Sequence, residues 1–79
     1  MVNNPIKLEA NVWTVIADNV DYLLQNRTAE QVMIKASDTL PTNTSGSFVL
    51  ENGELIGSTL LSGIVYAMSV KECYVTVAK

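Results

Sequence analysis

Apolar runs in this chain are short, rich in β-branched and aromatic residues, and cut apart by turn formers at intervals too tight for an ordinary helix. Val12 to Ala17 stops at Asp18-Asn19, and Val20 to Gln25 stops at Asn26-Arg27-Thr28. Gln31 to Ser37 runs into a polar loop, Asp38 to Gly46, that contains Pro41. Phe48 to Leu50 and Glu54 to Ile56 flank Glu51-Asn52-Gly53, while Ile64 to Ser69 and Cys73 to Ala78 flank Val70-Lys71-Glu72. Alternation is visible inside the runs: Val20, Tyr22 and Leu24 share one face, Val32, Ile34 and Ala36 another, and Cys73, Val75 and Val77 a third. Asn-Gly tolerates the positive φ angles of a type I′ turn, so Asn52-Gly53 predicts a hairpin; residues 70–72 predict a second. The expectation is an all-β chain: a small single-domain sandwich or barrel of about seven short antiparallel strands.

Helix competes at two places. Thr28-Ala29-Glu30-Gln31 fits a capping box, with Val32, Met33, Ala36 and Leu40 roughly on one helical face behind it. Val20, Leu23, Leu24 and Arg27 could make two turns. Strand is preferred in both, because Ser37-Asp38 and Asn26-Arg27 are turn formers that leave too little room.

The first eleven residues fit no regular element. Pro5 lacks a backbone donor and favours an extended path, and Ile6 and Leu8 alternate with Lys7 and Glu9. Residues 1–11 are therefore expected to form an extended arm and residues 12–79 the β-domain. The arm's interface residues would be Val2, Pro5, Ile6 and Leu8, packing on a neighbour as an added strand. A frayed terminus is the alternative.

A chain of 79 residues buries only about 60% of its unfolded surface, so its core needs support. One cysteine, Cys73, forbids an internal disulfide, and with no histidine there is no zinc-ligand set. Self-association is the remaining support, and a homo-oligomer is expected. Charged residues are only 16% of the chain, which suggests a surface partly covered in the working state. The five basic residues, Lys7, Arg27, Lys35, Lys71 and Lys79, are scattered, so nucleic acid is not an expected partner. The longest uncharged stretch, Leu55 to Val70, is interrupted by glycine, serine and threonine, so no membrane span is expected. Met1 to Pro5 has neither the basic start nor the apolar run of a secretory signal.

Catalytic constellations are missing. Without histidine the usual general base is absent, and Cys73 stands beside Glu72, whose charge disfavours a thiolate. Asp18 with Asp21 and Glu51 with Glu54 flank turns, where carboxylates serve the backbone or water. Gly53, Gly57 and Gly63 lie in separate turns and make no phosphate cradle. No enzyme activity, cofactor or metal is expected. Trp13, Tyr22, Tyr66 and Tyr74 read as core or interface residues, with stacking on a sugar as the other use.

The order of the pieces resembles a known layout. A tryptophan strand precedes Gln25-Asn26-Arg27, then come Ala36-Ser37-Asp38, a loop with Pro41, Ser47-Phe48-Val49-Leu50 after a glycine, Gly53-Glu54, Gly63-Ile64-Val65-Tyr66-Ala67 and Val75-Thr76-Val77. From Val12 to Ala78 this is similar to small virion proteins of tailed bacteriophages that decorate or stabilise the head or form part of a fibre. Met68 stands where the resemblance leads one to expect arginine. The resemblance implies a structural protein of the virion, made in the host cytoplasm: a head decoration or cement protein. Its partner would be the major capsid protein or another virion protein, and a trimer would suit three-fold sites. The alternative is a fibre or tail module that recognises a host-surface glycan or protein through exposed aromatics.

Overall fold

The computed structural model describes residues 2–79 and contains eight strands and, among those residues, no helix. They are β1 (Asn3–Leu8), β2 (Thr14–Asp18), β3 (Leu23–Gln25), β4 (Val32–Ala36), β5 (Phe48–Leu50), β6 (Leu55–Gly57), β7 (Ile64–Ser69) and β8 (Cys73–Ala78). Two four-stranded antiparallel sheets form a small β-sandwich. Sheet A has the order β1-β8-β3-β6 and sheet B the order β2-β7-β4-β5.

The order follows from nested pairing. β4 pairs with β5, β3 with β6, β2 with β7 and β1 with β8, so the chain is one long hairpin whose bend is the loop between Ala36 and Phe48. Successive pairs fall alternately in the two sheets, and the β8 contact with β3 and the β7 contact with β4 close each sheet. This strand order is that of an eight-stranded jelly roll. The outermost pair brings the chain ends together: the Val2 amide donates to the Lys79 carbonyl at 3.1 Å, and the Lys79 amide returns the bond at 3.2 Å.

Burial follows the alternation read from the sequence. Leu24, Val32, Ile34, Val65, Ala67, Val75 and Val77 all point into the space between the sheets and are fully or almost fully buried. On β2 a bulge between Val15 and Ala17 lets two consecutive residues, Ile16 and Ala17, both reach the core.

Three expectations are corrected. Neither anticipated hairpin forms, because β5 and β6 lie in different sheets, as do β7 and β8. At residues 51–54 the Glu54 amide does close a turn on the Glu51 carbonyl at 3.1 Å. Gly53 takes a φ of 88° while Asn52 stays at negative φ, the pattern of a type II rather than a type I′ turn. That turn carries the chain from one sheet to the other. The second correction is Val20, which is half exposed and lies before β3, so the face shared by Tyr22 and Leu24 does not include it.

The third concerns residues 1–11, which were expected to leave the domain. Residues 3–8 are instead β1, paired with β8 from Asn3↔Ala78 to Leu8↔Cys73. Leu8 is wholly buried and Ile6 packs against the core, so these two supply the domain's own interior. Pro5 is exposed on this edge strand, where a missing donor costs least. Val2 is 65% exposed at the strand's start. The pairing adds the eighth strand, and the domain begins with β1.

Candidate docking face and groove

Sheet A turns Leu8, Leu24, Ile56, Cys73, Val75 and Val77 inward. Alternation therefore sends Pro5, Lys7, Leu23, Gln25, Leu55, Tyr74 and Thr76 to the outer face. Register sets them in rows: Pro5, Thr76, Gln25 and Leu55 across the middle, and Asn3, Ala78, Leu23 and Gly57 beside them. Leu23, Leu55 and Tyr74 are 44%, 54% and 56% exposed, so the hydrophobic side chains stand free of one another's cover. The single charge in these rows is Lys7, opposite Tyr74 at one corner. It is held by Glu72 at 3.0 Å and Glu9 at 3.3 Å. Hydrogen bonding to Glu72, then to Glu9, pushes its pKa up to about 12.

The outer face of sheet B differs. Met33, Tyr66 and Met68 point away from the core, yet each is less than one-tenth exposed. Their neighbours cover them, with Val15 beside Tyr66 and Val49 beside Met33. Over Met68 lies a groove of about 350 Å³, walled by Asn11, Val12 and Trp13 on one side and residues 40–44 on the other. The first wall is pinned to β7: Ala10 bridges to Ser69, and the Asn11 amide donates to the Ser69 carbonyl at 2.8 Å. Asn11 takes a φ of 60°, a conformation asparagine tolerates better than most residues. The second wall is shaped by local bonds, with Asn43 Oδ1 accepting from the Ser45 amide at 3.0 Å and the Thr44 carbonyl accepting from Ser47 Oγ at 2.6 Å.

The aromatics divide by position. Tyr22 is buried and donates its hydroxyl to the Leu61 carbonyl at 2.6 Å; burial raises its pKa. Tyr66 is buried on the outside of sheet B, and Trp13 is half-buried at the groove. Tyr74 and Phe48 are exposed but stand on different sheets, so they make no shared stacking platform.

The nominated carboxylates are engaged in hydrogen bonds, and Glu51 accepts from Gln31 Nε2. Glu54 Oε1 accepts from the Glu51 amide at 2.6 Å, Asp18 Oδ1 from Asn19 Nδ2 at 2.8 Å, and Asp21 Oδ1 from Ser58 Oγ at 3.2 Å. Cys73 is a buried free thiol on the inner face of β8. Among the described residues no group of three His, Cys, Asp or Glu side chains could hold a metal ion. No helix of the structure is long and apolar enough to cross a membrane.

Of the four anticipated interface residues, Pro5 lies on the outer face of sheet A and Val2 at its end, while Ile6 and Leu8 face inward. Leu23 and Leu55 were missed as surface residues. The available signal was position: each directly precedes a buried residue, Leu24 and Ile56, and must take the opposite face. No protein-family model, no curated protein and no solved structure matches this chain.

Proposed function

We propose that this chain is a non-catalytic docking protein, a structural component of a tailed-bacteriophage virion that lays the outer face of sheet A on the protein shell and stabilises it. The observation that carries the reading is that face: an open sheet surface whose charges, Lys7 with Glu9 and Glu72, are gathered at one corner, with Leu23, Leu55 and Tyr74 standing out of it. Exposed apolar groups on a surface poor in charge mark a place where another protein sits. The layout from Val12 to Ala78 that resembles head decoration proteins points the same way, and viral capsid domains are among the users of the jelly roll. Fold alone does not decide function, since lectin domains share the topology.

In this reading the partner is the major capsid protein or another virion protein, and a homotrimer on three-fold positions is the favoured assembly. Repetition of one weak contact over a shell supplies avidity that a single small face lacks. Two measurements test it. Quantitative mass spectrometry of purified virions should find this chain in numbers comparable with the major capsid protein; a handful of copies per particle would place it in the tail or portal, and none would end the reading. Separately, Leu23→Glu and Tyr74→Glu should leave the melting temperature nearly unchanged while abolishing attachment to shells that lack the protein.

A further inference from the structure

We propose that the groove over Met68 is a binding site for a neutral saccharide, a second activity on the sheet opposite the docking face and independent of it. Three observations carry the assignment. The groove holds about 350 Å³, at the small end of the roughly 300–1,000 Å³ of ligand sites, a size suited to one or two sugar rings. None of its lining side chains carries a charge, which disfavours phosphate, carboxylate and ammonium ligands alike. Its lining is mainly apolar, from Val12, Trp13, Leu40, Pro41 and Met68, with a polar border made of Asn11, Thr42, Asn43 and Thr44.

That mixture matches the chemistry of a sugar. A pyranose ring has one face of C–H groups, which packs on an indole, and a rim of hydroxyls that both donate and accept. The polar wall is available to such a rim. Asn43 uses Oδ1 on the Ser45 amide, which leaves both Nδ2 hydrogens for a ligand. Thr44 serves its loop through the backbone carbonyl, and its hydroxyl takes no part in that turn. Among the described residues, the side-chain hydrogen bonds of the fold do not use the Asn11 amide or the Thr42 hydroxyl. The Asn11 amide on one wall and the Asn43 amide with the Thr42 and Thr44 hydroxyls on the other therefore border an apolar floor with an aromatic at its side, the composition of a site with a few polar groups in an apolar pocket. The site is largely preformed, because the Asn11 side is tied to β7 and the Asn43 side is held by its own turn bonds. On a docked chain the groove belongs to the sheet facing away from the shell.

Trp13 is the sole tryptophan of the chain, so its emission reports on the groove directly. The test titrates the purified chain with neutral oligosaccharides (maltotriose, cellotriose, triacetylchitotriose and lactose) while following tryptophan emission and the side-chain amide resonances of Asn11 and Asn43. At least one sugar is expected to give a saturable emission shift with a dissociation constant on the order of 1 mM, as ligand size permits. The same titration should move both amide resonances. The double variant Asn11→Gly with Thr44→Val removes one amide and one hydroxyl, and glycine keeps the positive φ of position 11. It should melt at the same temperature and bind about tenfold more weakly. A separate Thr42→Val variant, should the double variant fold poorly, is expected to weaken binding in the same direction. The proposal is overturned if no neutral sugar shifts the emission at about 50 mM. It is equally overturned if only a charged sugar such as sialyllactose binds, or if the folded variants bind as well as the parent. Virion copy number does not enter this measurement, so either reading can fail without the other.

Discussion

Asn26 does more bonding than any other side chain in the fold. Wholly buried, it donates from Nδ2 to the Glu30 carbonyl at 2.7 Å and the Leu50 carbonyl at 2.8 Å. Its Oδ1 accepts from the Thr28 amide at 2.9 Å and the Thr28 hydroxyl at 2.8 Å, and its carbonyl accepts from the Gly53 amide at 2.6 Å. The side chain thus ties the β3–β4 connection to the end of β5. Asn26→Ala would leave several of these groups buried without partners, each costing about 1–3 kcal/mol, so a loss of about 3 kcal/mol or more is expected in urea unfolding. Asn26→Asp should be nearly as harmful, because a carboxylate cannot donate to the two carbonyls. Tyr22 contributes a pH dependence at the alkaline end. Its pKa is raised above 10.0 by burial, so the folded state holds the proton more tightly than the unfolded state. Its contribution is therefore fully present below pH 10 and is lost as pH rises through the folded value. Lys7, also raised, acts in the same window and with the same sign, but on an exposed corner where solvent screens it. Tyr22→Phe is expected to cost about 1 kcal/mol at pH 7 and to flatten the fall in stability above pH 10, which melting curves at stepped pH would record.

Among the elements, β1 separates two readings of the same residues. Its Leu8 is completely buried and its six residues pair along the length of β8, so removing residues 2–11 should unfold the isolated domain. Leu8→Ala alone should cost about 2–5 kcal/mol. If the truncated chain kept its β circular-dichroism signature and melted cooperatively, β1 would be the detachable arm that Pro5 and the missing turn signals suggest. The strands themselves were largely legible, since Val32, Ile34 and Ala36, or Cys73, Val75 and Val77, alternate with residues of the opposite face. Pairing was not. Asn52-Gly53 reports a reversal of the chain but carries no information on whether the next strand stays in the same sheet, and here it crosses to the other. The loop from Asp38 to Gly46, read as irregular, is the bend of the one hairpin that exists between consecutive strands. For the groove, Trp13 was visible as an aromatic able to stack on sugar. Its partnership with Asn43 depends on a fold-back of some thirty residues that no local pattern encodes.

At the scale of the molecule, a single cysteine leaves the core without an internal disulfide and it rests on two thin sheets, so stability should depend on association. Sedimentation across a range of concentrations is expected to show a trimer, with Leu23→Glu lowering the association if the outer face of sheet A also meets other copies. A monomer at every concentration, with a high free energy of unfolding, would show that the sandwich stands alone. The mutual hydrogen bonds of Val2 and Lys79 have a consequence for the order in which the chain is written. Because the ends already lie side by side, their linear order is not needed to hold the sheets together. A chain joined from Lys79 to Val2 by a short glycine-serine bridge and opened between Ser45 and Gly46, in the exposed apex, is expected to keep all eight strands and their pairings, since the cut falls outside every strand. Such a permutant should give the same β circular-dichroism spectrum as the parent. It would turn the bend of the long hairpin into two free ends and its open mouth into a continuous edge.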